Sequence, residues 1–266
     1  MSPDEIIVTV GAGLLGLIFW INWAMRLSAP VGPPARRQGL SSLVAALVAS
    51  LVIISVVLLT ASASDVRNAP QYLLMYALLG LAWLRLGEFC FAFAGVSARD
   101  DVIERGNLAA APAVGGALVA VACCYAGSNI GEGPGWWVVV FSAALATAAL
   151  GVVWIVYDHT TGIFDTVTID RDRAAGLRLG GLLVACGIVF GRAVAGNWIS
   201  VENTVIDFAR VAWAAAPLVA AAIAIEPSAR PTPDRPELPV AAFGLAPAAI
   251  FIAAAAAYVV WLGLPA

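Results

Sequence analysis

Residues 174–191 read Ala174-Ala175-Gly176-Leu177-Arg178-Leu179-Gly180-Gly181-Leu182-Leu183-Val184-Ala185-Cys186-Gly187-Ile188-Val189-Phe190-Gly191, with one charge in the whole run. The apolar stretch continues to about residue 198, and a helix of about 20 such residues crosses the hydrocarbon layer of a bilayer. A helix is required there because lipid offers no partner to a free backbone amide or carbonyl. Reading outward with the same criterion gives eight spans: 6–25, 40–63, 72–95, 108–127, 136–157, 174–198, 208–225 and 239–262. No obviously broken helix is read among them. The expected fold is therefore all-α, a polytopic membrane protein of about eight transmembrane helices forming a single integral membrane domain over residues 1–266.

The composition agrees. Of 266 residues, 62% are hydrophobic and 12% charged, and the mean hydropathy is +0.93. Soluble domains carry about 25% charged residues, so most of this surface is suited to lipid rather than water. The longest link, about 158–173, is too short for a folded domain. The N-terminus opens with Asp4 and Glu5 before its apolar run, whereas a signal peptide carries positive charge there; the first run reads as a retained span. The segment 226–237 contains Pro227, Pro231, Pro233 and Pro236 and cannot be helical throughout.

All 14 basic residues are arginine, and they alternate by link. Arg26, Arg36 and Arg37 follow the first span, Arg99 and Arg105 the third, Arg171 and Arg173 the fifth, and Arg230 and Arg235 the seventh; Arg178 lies just inside the sixth. The intervening links hold Arg67 and acids such as Glu132 and Glu202. Cytoplasmic links are the arginine-rich ones, so eight spans with both termini outside the cytoplasm are expected.

Residues 100–131 and 165–196 align without gaps at an offset of 65, with ten of 32 positions identical, among them Asp100/Asp165, Gly115/Gly180, Gly116/Gly181 and Gly131/Gly196. In the sixth span Gly176, Gly180, Gly187 and Gly191 fall at helical angles of roughly 0°, 40°, 20° and 60°. The counterparts Ala111, Gly115, Ala122 and Ala126 are also small. Small-residue stripes let helix backbones approach closely in lipid. Gly115, Gly116, Gly176, Gly180, Gly187 and Gly191 are thus expected to pack helices together, within a central parallel two-fold pseudo-repeat.

The stretch Glu104-Arg105-Gly106-Asn107-Leu108-Ala109-Ala110-Ala111 resembles the first signature of a bacterial membrane family known as domain of unknown function 350. Ile169-Asp170-Arg171-Asp172-Arg173-Ala174-Ala175-Gly176, followed by Gly180-Gly181 and Gly187-Ile188, resembles its second. Asp172 and Arg173 depart from the Asn and Thr that the second signature carries. The resemblance covers about residues 72–199 and implies a four-helix core of two units, about 72–131 and 136–196, in a bacterial cytoplasmic (inner) membrane. Residues 1–71 and 200–266 then supply two flanking helices each.

Asn107 and Asp172 stand just before their spans, where a side-chain oxygen accepts from free backbone amides as an N-cap. Two such helix starts facing each other could also hold an anion. Arg85 and Glu88 lie three residues apart within the third span, on one helix face. A charge at that depth costs about 2.5–3.5 kcal/mol and marks a polar path or a partner contact when it is not neutralised in place. Arg192, in the outer third of the sixth span, either joins such a contact or extends to the headgroups; Asp207 and Arg210 open the seventh span at headgroup level. Cys90, Cys123, Cys124 and Cys186 lie in apolar runs and His159 is the single histidine, so no metal site, disulfide framework or other cofactor is expected. There is no nucleophile elbow, phosphate-binding loop or dinucleotide fingerprint. The sequence reads as a non-enzymatic structural or accessory subunit that assembles with other membrane proteins or with itself and binds no nucleic acid. The alternative is a small ion or solute channel or transporter.

Overall fold

The computed structural model describes residues 1–27, 35–232, 238–263 and 265. The side chains of Arg26, Arg36 and Arg37, and the whole of Arg235, lie outside the described residues. Eleven α-helices follow one another: α1 Pro3–Leu27, α2 Ala35–Thr60, α3 Ser64–Arg67, α4 Pro70–Phe93, α5 Ala110–Ser128, α6 Trp136–Thr161, α7 Ile163–Thr168, α8 Arg173–Ala193, α9 Val201–Ala212, α10 Ala215–Ile225 and α11 Ala246–Leu262. Wider π-type turns at Ala98–Glu104 and Ala241–Leu245 lead toward α5 and into α11. Among the described residues there is no strand.

Seven of these segments are long and apolar enough to cross a membrane, and α9 with α10 supplies an eighth crossing when taken together. That last pair corrects the expectation of unbroken spans, since α9 and α10 meet at a bend of 42°. Pro217 is the local reason. It has no amide to return to the Trp213 carbonyl four residues earlier, and the Ala216 amide donates to that carbonyl instead, at 2.9 Å. The crossing begins earlier than residue 208, because Ser200 caps α9 by accepting from the Asn203 amide.

The protein is a membrane protein by its surface. Ile7, Leu17, Val52, Phe89, Val152, Ile155, Ile250 and Val260 all point outward, which water would penalise and lipid does not. α5 and α8 are different: 83% of each span is buried, against 17% for α1 and for the span that includes α11. Both are rich in Ala and Gly, and such small residues let neighbouring helices close in on them.

Around this centre α2, α5, α8 and α11 stand in a row, and all four run in the same direction. At one end Gly39 lies against Val102, Gly176 against Ala109 and Gly244 against Ala174. At the other, Ser62 bridges to Gly131, Gly131 lies against Gly196, and Gly196 against Pro265. Positions 62, 131, 196 and 265 are thus spaced by 69, 65 and 69 residues. The Gly196 amide donates to the Ile130 carbonyl and the Trp198 amide to that of Glu132, stitching the α5 and α8 ends together.

This row differs from a two-fold between α5 and α8. Gly180 faces the Pro112 carbonyl on α5, while its counterpart Gly115 faces Ala46 on α2; Gly116 faces Gly180, while its counterpart Gly181 faces Ala248 on α11. A two-fold would bring the same face of each helix to the shared boundary. Here equivalent faces lead to successive helices.

Candidate functional site

The glycine stripe lies entirely along α5. Gly176 meets the Ala109 carbonyl, Gly180 that of Pro112, Gly187 the backbone of Ala120 and Gly191 the Cys123 carbonyl. From the α5 side, Gly116 meets Gly180 and Gly127 meets Gly191. A Cβ at Gly187 would come 2.6 Å from the Ala120 Cα, so no side chain fits. The backbone surfaces of these two helices touch, and α8 is buried on its other faces too, by Leu179, Leu182, Ala185 and Val189.

Asp172 stands at the N-cap of α8, whereas the N-cap of α5 is Ala109 and Asn107 lies two residues before it. Asp172 accepts from the Ala174 and Ala175 amides at 2.9 and 3.1 Å. Asn107 accepts from the Ala109 amide at 2.9 Å and donates to the Val167 carbonyl at 2.7 Å, tying the start of α5 to the end of α7. Their polar atoms are engaged within the chain.

Arg85 and Glu88 form an ion pair on α4. Glu88 is buried and also accepts from the Trp23 indole of α1 at 3.4 Å, so the pair faces a neighbouring helix rather than a lumen. Arg85 Nε is buried without a partner among the described residues. Glu88→Gln should destabilise more than Arg85→Gln combined with Glu88→Gln, by about 1–3 kcal/mol, because the single change leaves a buried guanidinium alone. Thermal unfolding in detergent measures this, and strictly additive losses would show that the two groups do not interact. Arg192 is held elsewhere, its Nε donating to the Gly263 carbonyl at 2.7 Å. The structure brings Arg85 and Glu88 together and leaves Arg192 apart from them.

A second charge cluster was invisible in the sequence. Arg178 and Glu226 are each 1% exposed and meet through two contacts, Nε and Nη2 to the two carboxylate oxygens, at 3.0 and 2.8 Å. The Tyr157 hydroxyl donates to the same carboxylate at 2.8 Å, Arg178 Nη1 donates to the Phe243 carbonyl at 2.7 Å, and Asp172 lies 3.8 Å away. Four segments therefore meet on one guanidinium: α6, α8, the turn after α10 and the approach to α11. Arg178 resembled one more topology-setting arginine, and Glu226 the first residue of a polar link. The available signal was an arginine one turn inside a span, which needs an acid, and Glu226 opens a link at the same end.

Closely packed apolar helices, with charges paired inside the chain, define the class: a polytopic α-helical membrane protein. The family model described as Domain of Unknown Function (DUF350) matches residues 40–194. That is more than half of the chain, which belongs to this family. The match begins at α2, earlier than the expected start at about residue 72, ends at 194 rather than about 199, and takes in the α2–α5 contact. No curated protein and no solved structure matches the chain.

Proposed function

We propose that this protein is a non-enzymatic structural or accessory subunit of a bacterial cytoplasmic membrane, assembling with other membrane proteins or with itself. The observation that carries this reading is the self-sufficiency of its interior. The buried pairs Arg85–Glu88 and Arg178–Glu226 close within the chain, and the central helices meet backbone to backbone. A transport route needs a polar path that stays hydrated or can be opened, and the α5–α8 boundary offers carbonyls against glycines.

The bent α9–α10 crossing supports the channel or transporter alternative, since broken helices frame substrate sites in transporters. Its surroundings weigh the other way. The cavity beside the bend is lined by Val189, Trp213, Ala214, Pro217, Leu218, Ala254, Ala255 and Tyr258, and only the Tyr258 hydroxyl and the Trp213 indole N–H bring side-chain polarity. Liposomes containing the purified protein should be silent to a panel of monovalent and divalent ions, while copurification from native membrane retains a stoichiometric membrane partner or a second copy. Saturable flux that disappears in Glu88→Gln would overturn the proposal in favour of transport.

The orientation is part of the same proposal. Arg99, Arg105, Arg171, Arg173 and Arg230 gather at one end of the bundle, and Glu5, Asp65, Glu132 and Glu202 at the other, which under the positive-inside rule puts both termini outside the cytoplasm. Single cysteines at 132 and 202 in a cysteine-free background should label from outside, and those at 36 and 230 should not. External labelling at 36 or 230 ends the assignment.

A further inference from the structure

At the acidic end of the bundle, α1, the α2–α4 link, α4, the loop after α5 and α6 border a cavity of about 240 Å³ that opens to the surface, where Asp65 and Glu132 are exposed. Three carboxylates line it, Glu5, Asp65 and Glu132, with no arginine or histidine among the lining residues. None of the three forms an ion pair among the described residues; Arg67, in the adjoining hollow, donates to the Thr60 carbonyl. Glu5 accepts from the Tyr72 hydroxyl at 3.3 Å through one oxygen, which it shares with the Ser2 amide at 2.7 Å. The second Glu5 oxygen is uncommitted.

Two hydroxyls make this more than an acidic surface. Tyr76 is 7% exposed and Ser142 is 3% exposed, both line the cavity, and neither hydroxyl has a hydrogen-bond partner among the described residues. Tyr76 stands one turn along α4 from Tyr72, whose hydroxyl donates to Glu5. The two side chains are buried apart from their hydroxyls, which on separate helices remain open to whatever occupies the cavity, water or a ligand. Tyr72, Tyr76 and Trp198 also line the cavity, and aromatic rings attract cations.

We propose that this cavity is a binding site for a small organic cation bearing ammonium N–H donors. Three acids in the cavity against the single Arg67 beside it set the sign of the charge. The free carboxylate oxygen calls for a donor, and each hydroxyl can accept as well as donate, so a ligand with several N–H groups can engage all three. The acids do not converge as a metal site: among the described residues no group of three acid, histidine or cysteine side chains could hold a metal ion. An ammonium group can arrive as a free amine or as the headgroup of an ethanolamine lipid, and the site's chemistry is the same for both. The inference is independent of whether the protein is a scaffold or a transporter, because it concerns binding alone.

The test is calorimetric titration of the full chain in phosphatidylcholine nanodiscs with ethanolamine, tetramethylammonium and calcium. Ethanolamine should bind saturably, and tetramethylammonium, which has no N–H, about tenfold or more weakly, the worth of one charge-assisted hydrogen bond. Glu5→Gln should raise the ethanolamine Kd by about the same factor and Tyr76→Phe by roughly threefold or more, with melting temperatures held near wild type as the check on folding. Nanodiscs containing phosphatidylethanolamine separate the two sources: lost titration there assigns the headgroup, and unchanged titration assigns the free amine. Absent saturation by ethanolamine, calcium binding in its place, equal affinity for tetramethylammonium, or unchanged affinity in both variants would overturn the proposal.

Discussion

Arg178→Ala should be the most damaging single substitution in the protein, lowering its stability by about 3–5 kcal/mol, the cost of leaving one member of a buried ion pair alone. The argument rests on what the change abandons. Glu226 is 1% exposed and takes two contacts from Arg178 and one from Tyr157. Arg230 reaches only 3.7 Å from that carboxylate and is itself 36% exposed, so it restores little. Replacing both partners, Arg178→Met with Glu226→Leu, should recover most of the loss, since well-packed apolar pairs substitute for buried salt bridges at little cost. Thermal unfolding in detergent for the two single variants and the double variant gives the answer. A double variant as damaged as either single would mean that the ion pair itself, rather than its completeness, holds these four segments together.

Gly180→Leu and Gly187→Leu come next, with an expected loss on the order of 1–3 kcal/mol each from overpacking. A side chain at 180 would be driven into the Pro112 carbonyl, and one at 187 into the Ala120 backbone. Neither obstacle is a flexible side chain that could swing aside, so the helices must separate along the stripe. Val184→Leu is the control, because Val184 is half-buried on the α8 face that borders a lateral cavity. Melting temperatures equal across the three variants would remove the glycine contacts from any account of stability.

The spans and their direction were legible because lipid imposes a strong, local requirement: about 20 apolar residues per crossing, with arginines marking one side. Within those spans the sequence shows position along a helix but not which neighbour a face meets. Gly180 and Gly115 occupy equivalent places in the offset-65 alignment, and nothing local shows that one meets α5 and the other α2. Glu226 was hidden for a related reason. It ends the apolar run of α10 where a polar residue is ordinary, and only the fold places it against Arg178, 48 positions earlier. Pro217 is the local cause of the bend, yet proline is common enough in membrane helices that it does not by itself separate a bent span from a straight one. The acidic cavity draws Glu5, Asp65, Tyr76, Glu132 and Ser142 from separate elements, so no window of sequence contains it.

The file of positions 62, 131, 196 and 265 has a consequence for how the protein tolerates change. A two-fold relation is complete at two members; a relation that hands each helix on to the next sets no limit of its own. Stability in such an arrangement divides into nearest-neighbour joints, so damage at the α2–α5 joint is felt directly at α5–α8 and only at second hand by α11. The glycine joints would allow a helix pair to be added or removed at an end, but at the α11 end the buried Arg178–Glu226 pair ties α8 to the turn after α10 and sets a limit. At the joint between α8 and α11, Gly181 meets Ala248 and Gly244 meets Ala174. Its α11 side lies past residue 194, where the family match stops, yet it is built by the same means as the joints inside the match.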